Sequence, residues 1–285
     1  MPDADPANTS GTIGSKGRDL SLRICSALVL VPLAVGSAYL GGWPFVIFWS
    51  LAAIGIFWEW TSLVAGAERR SALMVGGSAL VLALVLAGGG RPLEAIIVVA
   101  MGVIGIAVIA PAHYRGWAAG GLPYAGATGI APIVLRSDNN DGFVAMMFLF
   151  AIVWATDSVA YFLGRLIGGR KLAPRISPKK TWSGAISGLL AAVLAGVAVA
   201  KFAGVAGLLA VGCIAAILSA FAQAGDLFES LLKRRFGAKD SGHLIPGHGG
   251  LMDRLDGFIV AAAVAALIGI LRGGLEAPAR GLLVW

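Results

Sequence analysis

A chain of 285 residues with 58% apolar and 13% charged side chains, and a mean hydropathy of +0.86, is too apolar for one or two soluble domains and reads as an all-α, polytopic transmembrane protein. Its formal net charge of +7 does not point to nucleic acid, because the basic residues cluster beside apolar runs; anionic lipid headgroups and phosphate-bearing substrates fit better. Two cysteines, Cys25 and Cys213, both in apolar segments, exclude a disulfide framework and a cysteine metal cluster.

The polar stretch 1–21 leads into an apolar run with no clean small-x-small cleavage site, so the first span is expected to be retained. About nine spans are expected, near 22–40, 43–65, 72–90, 93–110, 117–135, 142–164, 183–200, 203–223 and 257–272. The fifth, rich in glycine and proline, is the weakest and is expected to be broken or partly re-entrant. Residues 22–140 read as a scaffold and 141–285 as a catalytic region with polar loops at 165–182 and 225–256.

Orientation follows from the loops. Lys16, Arg18 and Arg23 precede the first span, Arg69 and Arg70 follow the second, and Arg115 follows the fourth. Arg165, Arg170, Lys171, Arg175, Lys179 and Lys180 follow the sixth, and Lys233, Arg234, Arg235, Lys239 and Arg254 follow the eighth. A cytoplasmic N-terminus puts all of these on the cytoplasmic side, as the positive-inside rule asks. Arg272 and Arg280 near the C-terminus run mildly against that rule.

Carboxylates inside apolar spans are costly and need a partner or a task. Glu59, in GIFWEWTSL, either pairs with an arginine at the span end or lines a site. Asp157, in WATDSVAYFLGR, lies among small residues about two turns before Arg165 and is expected in a polar pocket.

The densest chemistry lies in 225–256, GDLFESLLKRRFGAKDSGHLIPGHGGLMDRLD. The eighth span is expected to continue out of the membrane as a helix, with Asp226, Glu229 and Lys233 on neighbouring parts of one face. Gly242, Gly247, Gly249 and Gly250, with Pro246, break helix and let backbone N–H groups approach phosphate oxygens. Lys239 and Arg254 can meet phosphate charge. Asp253 and Asp256 fall three apart on one face of the last span, and two adjacent carboxylates need a shared cation or proton. Mg²⁺ is the economical answer, with Asp226 as a third ligand; the alternative is that both acids cap the helix and balance Arg254. His248 fits an acid–base or phosphate-donor role, while His243 and His113 read as structural.

These residues resemble the signature of the integral membrane phosphatidate cytidylyltransferases, the CDP-diacylglycerol synthases. Here it reads Ser230, Lys233-Arg234, Lys239-Asp240, Gly242, Pro246, His248-Gly249-Gly250, Asp253-Arg254 and Asp256, with the family's spacing throughout. Gly225-Asp226 with Glu229, the pattern around Asp157 and Gly164, and ISPKKTW at 176–182 are also similar to that family. One departure stands out: Ser183 follows KKTW where the family usually has glutamate.

The resemblance implies CMP transfer from CTP to phosphatidic acid, giving CDP-diacylglycerol and pyrophosphate. It further implies magnesium with potassium as a second ion, a homodimer, and a cytoplasmic (inner) membrane location with the site facing the cytoplasm. Asp226, Asp253 and Asp256 would hold metal; Lys239, His248 and Arg254 would share the catalytic work. Asp157, Lys179, Lys180, Thr181, Ser230, Lys233, Arg234, Gly249 and Gly250 would contact substrate. Asp253→Asn is then expected to abolish turnover with the fold intact. The alternatives are a CTP-dependent lipid or polyprenol kinase, which would release CDP instead of pyrophosphate, and a secondary transporter, which would move solute without consuming nucleotide.

Overall fold

The structure, a computed structural model, describes residues 29–242 and 249–285, the side chains of residues 67 and 68 excepted. In chain order the helices are α1 (Val29–Leu40, its described part), α2 (Gly42–Ala65), α3 (Arg70–Gly88), α4 (Pro92–Ile109), α5 (Arg115–Arg136), α6 (Gly142–Ile167), α7 (Trp182–Phe202), α8 (Leu208–Arg235), α9 (Met252–Gly273) and the short α10 (Pro278–Leu283). Two strands, β1 (Lys171–Ala173) and β2 (Ser177–Thr181), form an antiparallel hairpin between α6 and α7. Among the described residues eight helices, α2 to α9, are long and apolar enough to cross a membrane. The start of the expected first span, residues 22–28, lies outside the described residues.

The expected break in the fifth span is absent: α5 is one helix with Pro123 and Pro132 inside it. Its apolar window is 78% buried, against 44% or less for the other spans, so α5 is the centre of the bundle. A central helix rich in Gly and Ala lets its neighbours approach closely, and surrounding helices can accommodate the backbone groups that proline frees. The 28 residues of α8 give about 42 Å of helix, more than the ~30 Å apolar core of a bilayer. Its last turns therefore extend beyond the apolar layer, as the sequence suggested.

Alternation of the spans gathers the C-terminal ends of α2, α6 and α8 with the N-terminal ends of α5, α7 and α9 at one end of the bundle. At the opposite end three charged groups are used on backbone, while Arg91 and Glu94 pair with each other. Arg136 donates to the carbonyls of Ala38 (2.6 Å) and Tyr39 (3.4 Å) at the end of α1. Asp138 accepts from the backbone N–H groups of Asn140, Asp141 and Arg280. Arg272 donates to Gly281 O (2.6 Å) and Val284 O (3.0 Å) and lies 3.4 Å over the Trp285 ring. Arg272 thus has a local task, fastening the C-terminal tail.

Candidate active site

The hairpin that follows α6 is fastened by hydroxyls. Thr181 caps α7, accepting from Gly184 N at 3.2 Å, and its hydroxyl also lies within bonding distance of Gly164 O and Ser183 Oγ. Ser183 donates to Gly168 O at 2.5 Å, closing the C-terminal end of α6. Side chains alternate across a strand, so Lys179 is exposed while Lys180 is half-buried and forms an ion pair with Asp226 of α8.

Asp226 and Asp256 meet because their helices cross closely. A Cβ on Gly225 would come 2.6 Å from Asp256 O, and one on Gly257 would come 3.0 Å from Ala222 O. The glycines flanking the two acids therefore set the closest approach of α8 and α9. Asp256 Oδ1 accepts from Gly257 N at 2.8 Å. Asp256 lies within electrostatic reach of Asp226, Asp157 and Lys180, and Asp157 within reach of Asp226 and Lys180. Three carboxyl groups from α6, α8 and α9 thus come within electrostatic reach of one another and of Lys180, an acidic chamber in which like groups are crowded.

Asp253, one turn earlier on α9, has a different setting. Its Oδ1 accepts from Lys233 Nζ at 2.5 Å, and its Oδ2 from Ser241 N, Ser241 Oγ and Gly250 N, each at 2.9 Å. Lys233 is held from its other side by Glu229, at 2.6 Å. The Glu229–Lys233 pair is therefore buried, with Glu229 1% exposed, and is no surface pair. Both carboxylate oxygens of Asp253 and the Lys233 ammonium are occupied by protein groups.

Glu59 completes this network from α2. Only 2% exposed, it accepts from Leu251 N at 2.7 Å, Met252 N at 2.8 Å and Ser241 Oγ at 3.2 Å. It pairs with no arginine among the described residues; it satisfies the otherwise unpaired amides at the start of α9, where the helix dipole also favours an anion. Gly250 is required beside it, since a Cβ there would collide with Ser241 Oγ and come 2.7 Å from Glu59 Oε2. Gly249 takes φ +82, in the left-handed region that suits glycine.

Arg234, Lys239 and Arg254 are exposed at this end and Ser230 is half-buried. His243, Pro246 and His248 lie outside the described residues. Sequence reasoning missed Ser241, which the adjacent Lys239-Asp240 pair could have flagged, and the task of Glu59, signalled only by a carboxylate in an apolar span.

Among the described residues no three Asp, Glu, His or Cys side chains are gathered tightly enough to form a ready metal site. The donor chemistry fits a hard cation all the same. Asp226 and Asp256 are oxygen donors beside an excess negative charge, and Mg²⁺ in such sites takes one or two carboxylates and completes its shell with substrate phosphates and water.

Residues 21–271 match the model of the cytidylyltransferase family. The chain is 42% identical over 263 residues to a phosphatidate cytidylyltransferase of Brucella suis biovar 1, covering 91% of this chain and 97% of that protein. It is 43% identical over 254 residues to that of Brucella abortus biovar 1, covering 88% and 93%. A phosphatidate cytidylyltransferase of Rickettsia felis is 46% identical over 136 residues, 44% of this chain and 59% of that protein.

Proposed function

The chain belongs to the cytidylyltransferase family, and from that premise we propose that it is a phosphatidate cytidylyltransferase that makes CDP-diacylglycerol from CTP and phosphatidic acid. The observation that carries this reading is the chamber of Asp157, Asp226, Asp256 and Lys180 at the charged end of a membrane-spanning bundle. A non-bridging oxygen of the phosphatidate monoester attacks the α-phosphorus of CTP. The bond from that phosphorus to the α–β bridging oxygen breaks, and pyrophosphate leaves with its electron pair. The nucleophile is already anionic, so the task is to hold two repelling anions in line and to neutralise the growing charge.

Lys180 approaches the chamber from the hairpin and is positioned to exchange its contact with Asp226 for a phosphate oxygen. Lys239, Arg234 and Arg254 are exposed at the same end, where they suit the triphosphate. Magnesium held by Asp226 and Asp256, with potassium as a second ion, would supply charge neutralisation at the α-phosphate and the leaving group. Asp253 and Glu59 hold the glycine loop and the start of α9, so that Asp256 is presented at a fixed depth. The basic loops support a cytoplasmic membrane location with the site on the cytoplasmic face.

The test is incubation of detergent-purified protein with phosphatidic acid, magnesium and CTP labelled at the α-phosphate. Label in the lipid with equimolar pyrophosphate is expected. Transfer of γ-label with release of CDP would replace this reading with a lipid kinase.

A further inference from the structure

Beside the chamber lies a second feature that the signature does not contain. A cavity of about 410 Å³ opens between α2, α5 and α8, lined by Trp60, Gly116, Trp117, Gly120, Tyr124 and Phe228. Its walls are mainly aromatic: Trp60 and Tyr124 have ring centroids 5.1 Å apart, and Phe228 lies 6.1 Å from Trp60 and 5.9 Å from Tyr124. The Trp60 indole N–H is already used, donating to Trp117 O at 2.7 Å.

Two details indicate that the cavity is kept open and connected to the site. Gly116 and Gly120 fall four apart on one face of α5. A Cβ on Gly116 would meet no described atom within 4 Å, and one on Gly120 only the Trp60 ring at 3.9 Å. Helix packing does not demand glycine at either place, and glycine costs about 1 kcal/mol against alanine in a helix; what it preserves here is space. The second detail is Tyr124. Its hydroxyl is buried and has no hydrogen-bond partner among the described residues, which costs about 1–3 kcal/mol if it stays unmet. The hydroxyl lies within electrostatic reach of Asp256, Glu229, Asp226 and Asp253. Tyr124 therefore lines the aromatic cavity while standing within electrostatic reach of the acidic chamber.

We infer that this cavity seats the glycerol-ester end of the lipid substrate and that the Tyr124 hydroxyl donates a hydrogen bond to an oxygen of that lipid. The inference rests on the reading of the chain as a phosphatidate cytidylyltransferase. Walls that are mainly aromatic suit an acyl-glycerol group, whereas recognition of a pyrimidine edge needs paired polar side chains. The opening beside exposed Phe228 and Gly116 gives a lipid a sideways route to the chamber.

The experiment measures KM and kcat of the full-length protein in mixed micelles, varying dioleoyl phosphatidic acid and CTP separately. Tyr124→Phe removes an oxygen with no partner among the described residues, so its apparent melting temperature should be equal to or higher than that of the unaltered protein. Its lipid KM should rise about three- to tenfold, a neutral hydrogen bond's worth, with the CTP KM unchanged. Gly120→Leu fills the cavity while favouring helix, and should raise the lipid KM about tenfold with the same indifference to CTP. Unchanged lipid KM in both variants would overturn the inference, as would a rise confined to CTP, which would make the cavity a base site. Failure of the unaltered protein to transfer CMP to phosphatidic acid would instead sink the underlying functional reading, and this one with it.

Discussion

Two neighbouring groups of charges at one end of the bundle do opposite things. In the first, Glu59, Glu229, Lys233, Ser241 and Asp253 bond one another and the backbone of residues 241 and 250–252, with Glu229 Oε1 the one carboxylate oxygen of the group that is buried without a hydrogen-bond partner among the described residues. In the second, Asp157, Asp226 and Asp256 crowd one another around Lys180, which pairs with Asp226. The first group is expected to act as a clamp whose loss destabilises the fold, and the second is the chamber proposed to meet a ligand. Charge in an apolar protein is costly wherever it lies, so hydrogen-bond saturation separates structure from chemistry better than residue type does.

Substitutions in the chamber should have the largest effect and sharpen this contrast. Asp226→Asn and Asp256→Asn should each lower kcat by about 10²–10³-fold, as loss of a preorganised charge-stabilising group does. Their melting temperature should be unchanged or slightly higher, because like charge is relieved. A matched drop in stability and activity would move these acids into the clamp.

Next in size are the clamp residues. Asp253→Asn should lose both activity and about 3 kcal/mol of stability, since it leaves Lys233 and the amides of residues 241 and 250 with a weaker partner. This departs from the sequence-based expectation that the fold would be untouched. Thermal unfolding in detergent separates the two outcomes, and an inactive variant with unaltered melting would return Asp253 to the ligand-binding set. Glu59→Gln should act in the same direction by about 2 kcal/mol, through the start of α9.

Smaller effects are expected in the hairpin. Lys180→Met should reduce kcat/KM by about 10- to 100-fold, the value of a charge-assisted contact to phosphate, with little change in melting. Ser183→Ala should cost about 1 kcal/mol through its lost bond to Gly168 O and leave turnover nearly intact. A large loss of turnover there would give Ser183 a direct role beyond closing α6.

Much of this was legible in the sequence. Apolar runs, the basic loops and the spacing from Ser230 to Asp256 indicate the spans, the charged end and the proposed catalytic block, because each depends on residues close together in the chain. The helical continuation through Arg235 was legible for the same reason. The integrity of α5 was not: its glycines and prolines signal a break locally, and only burial at the bundle centre makes a continuous helix the better solution. Glu59 was ambiguous because its donors, Leu251 and Met252, are 192 and 193 residues away. Tyr124 carried no sequence signal, since its ring neighbours Trp60 and Phe228 are brought to it by α2 and α8.

Asp253 and Asp256 show the division most clearly. The sequence by itself placed both on one face at the start of the last span and gave them a phosphate-handling setting. Tertiary structure decided that Lys233, Ser241 and Gly250 occupy Asp253, while the close crossing of α8 and α9 at Gly225 and Gly257 leaves Asp256 facing Asp226. Spacing along a helix fixes direction, but whether a carboxylate is saturated depends on donors brought through space by other helices.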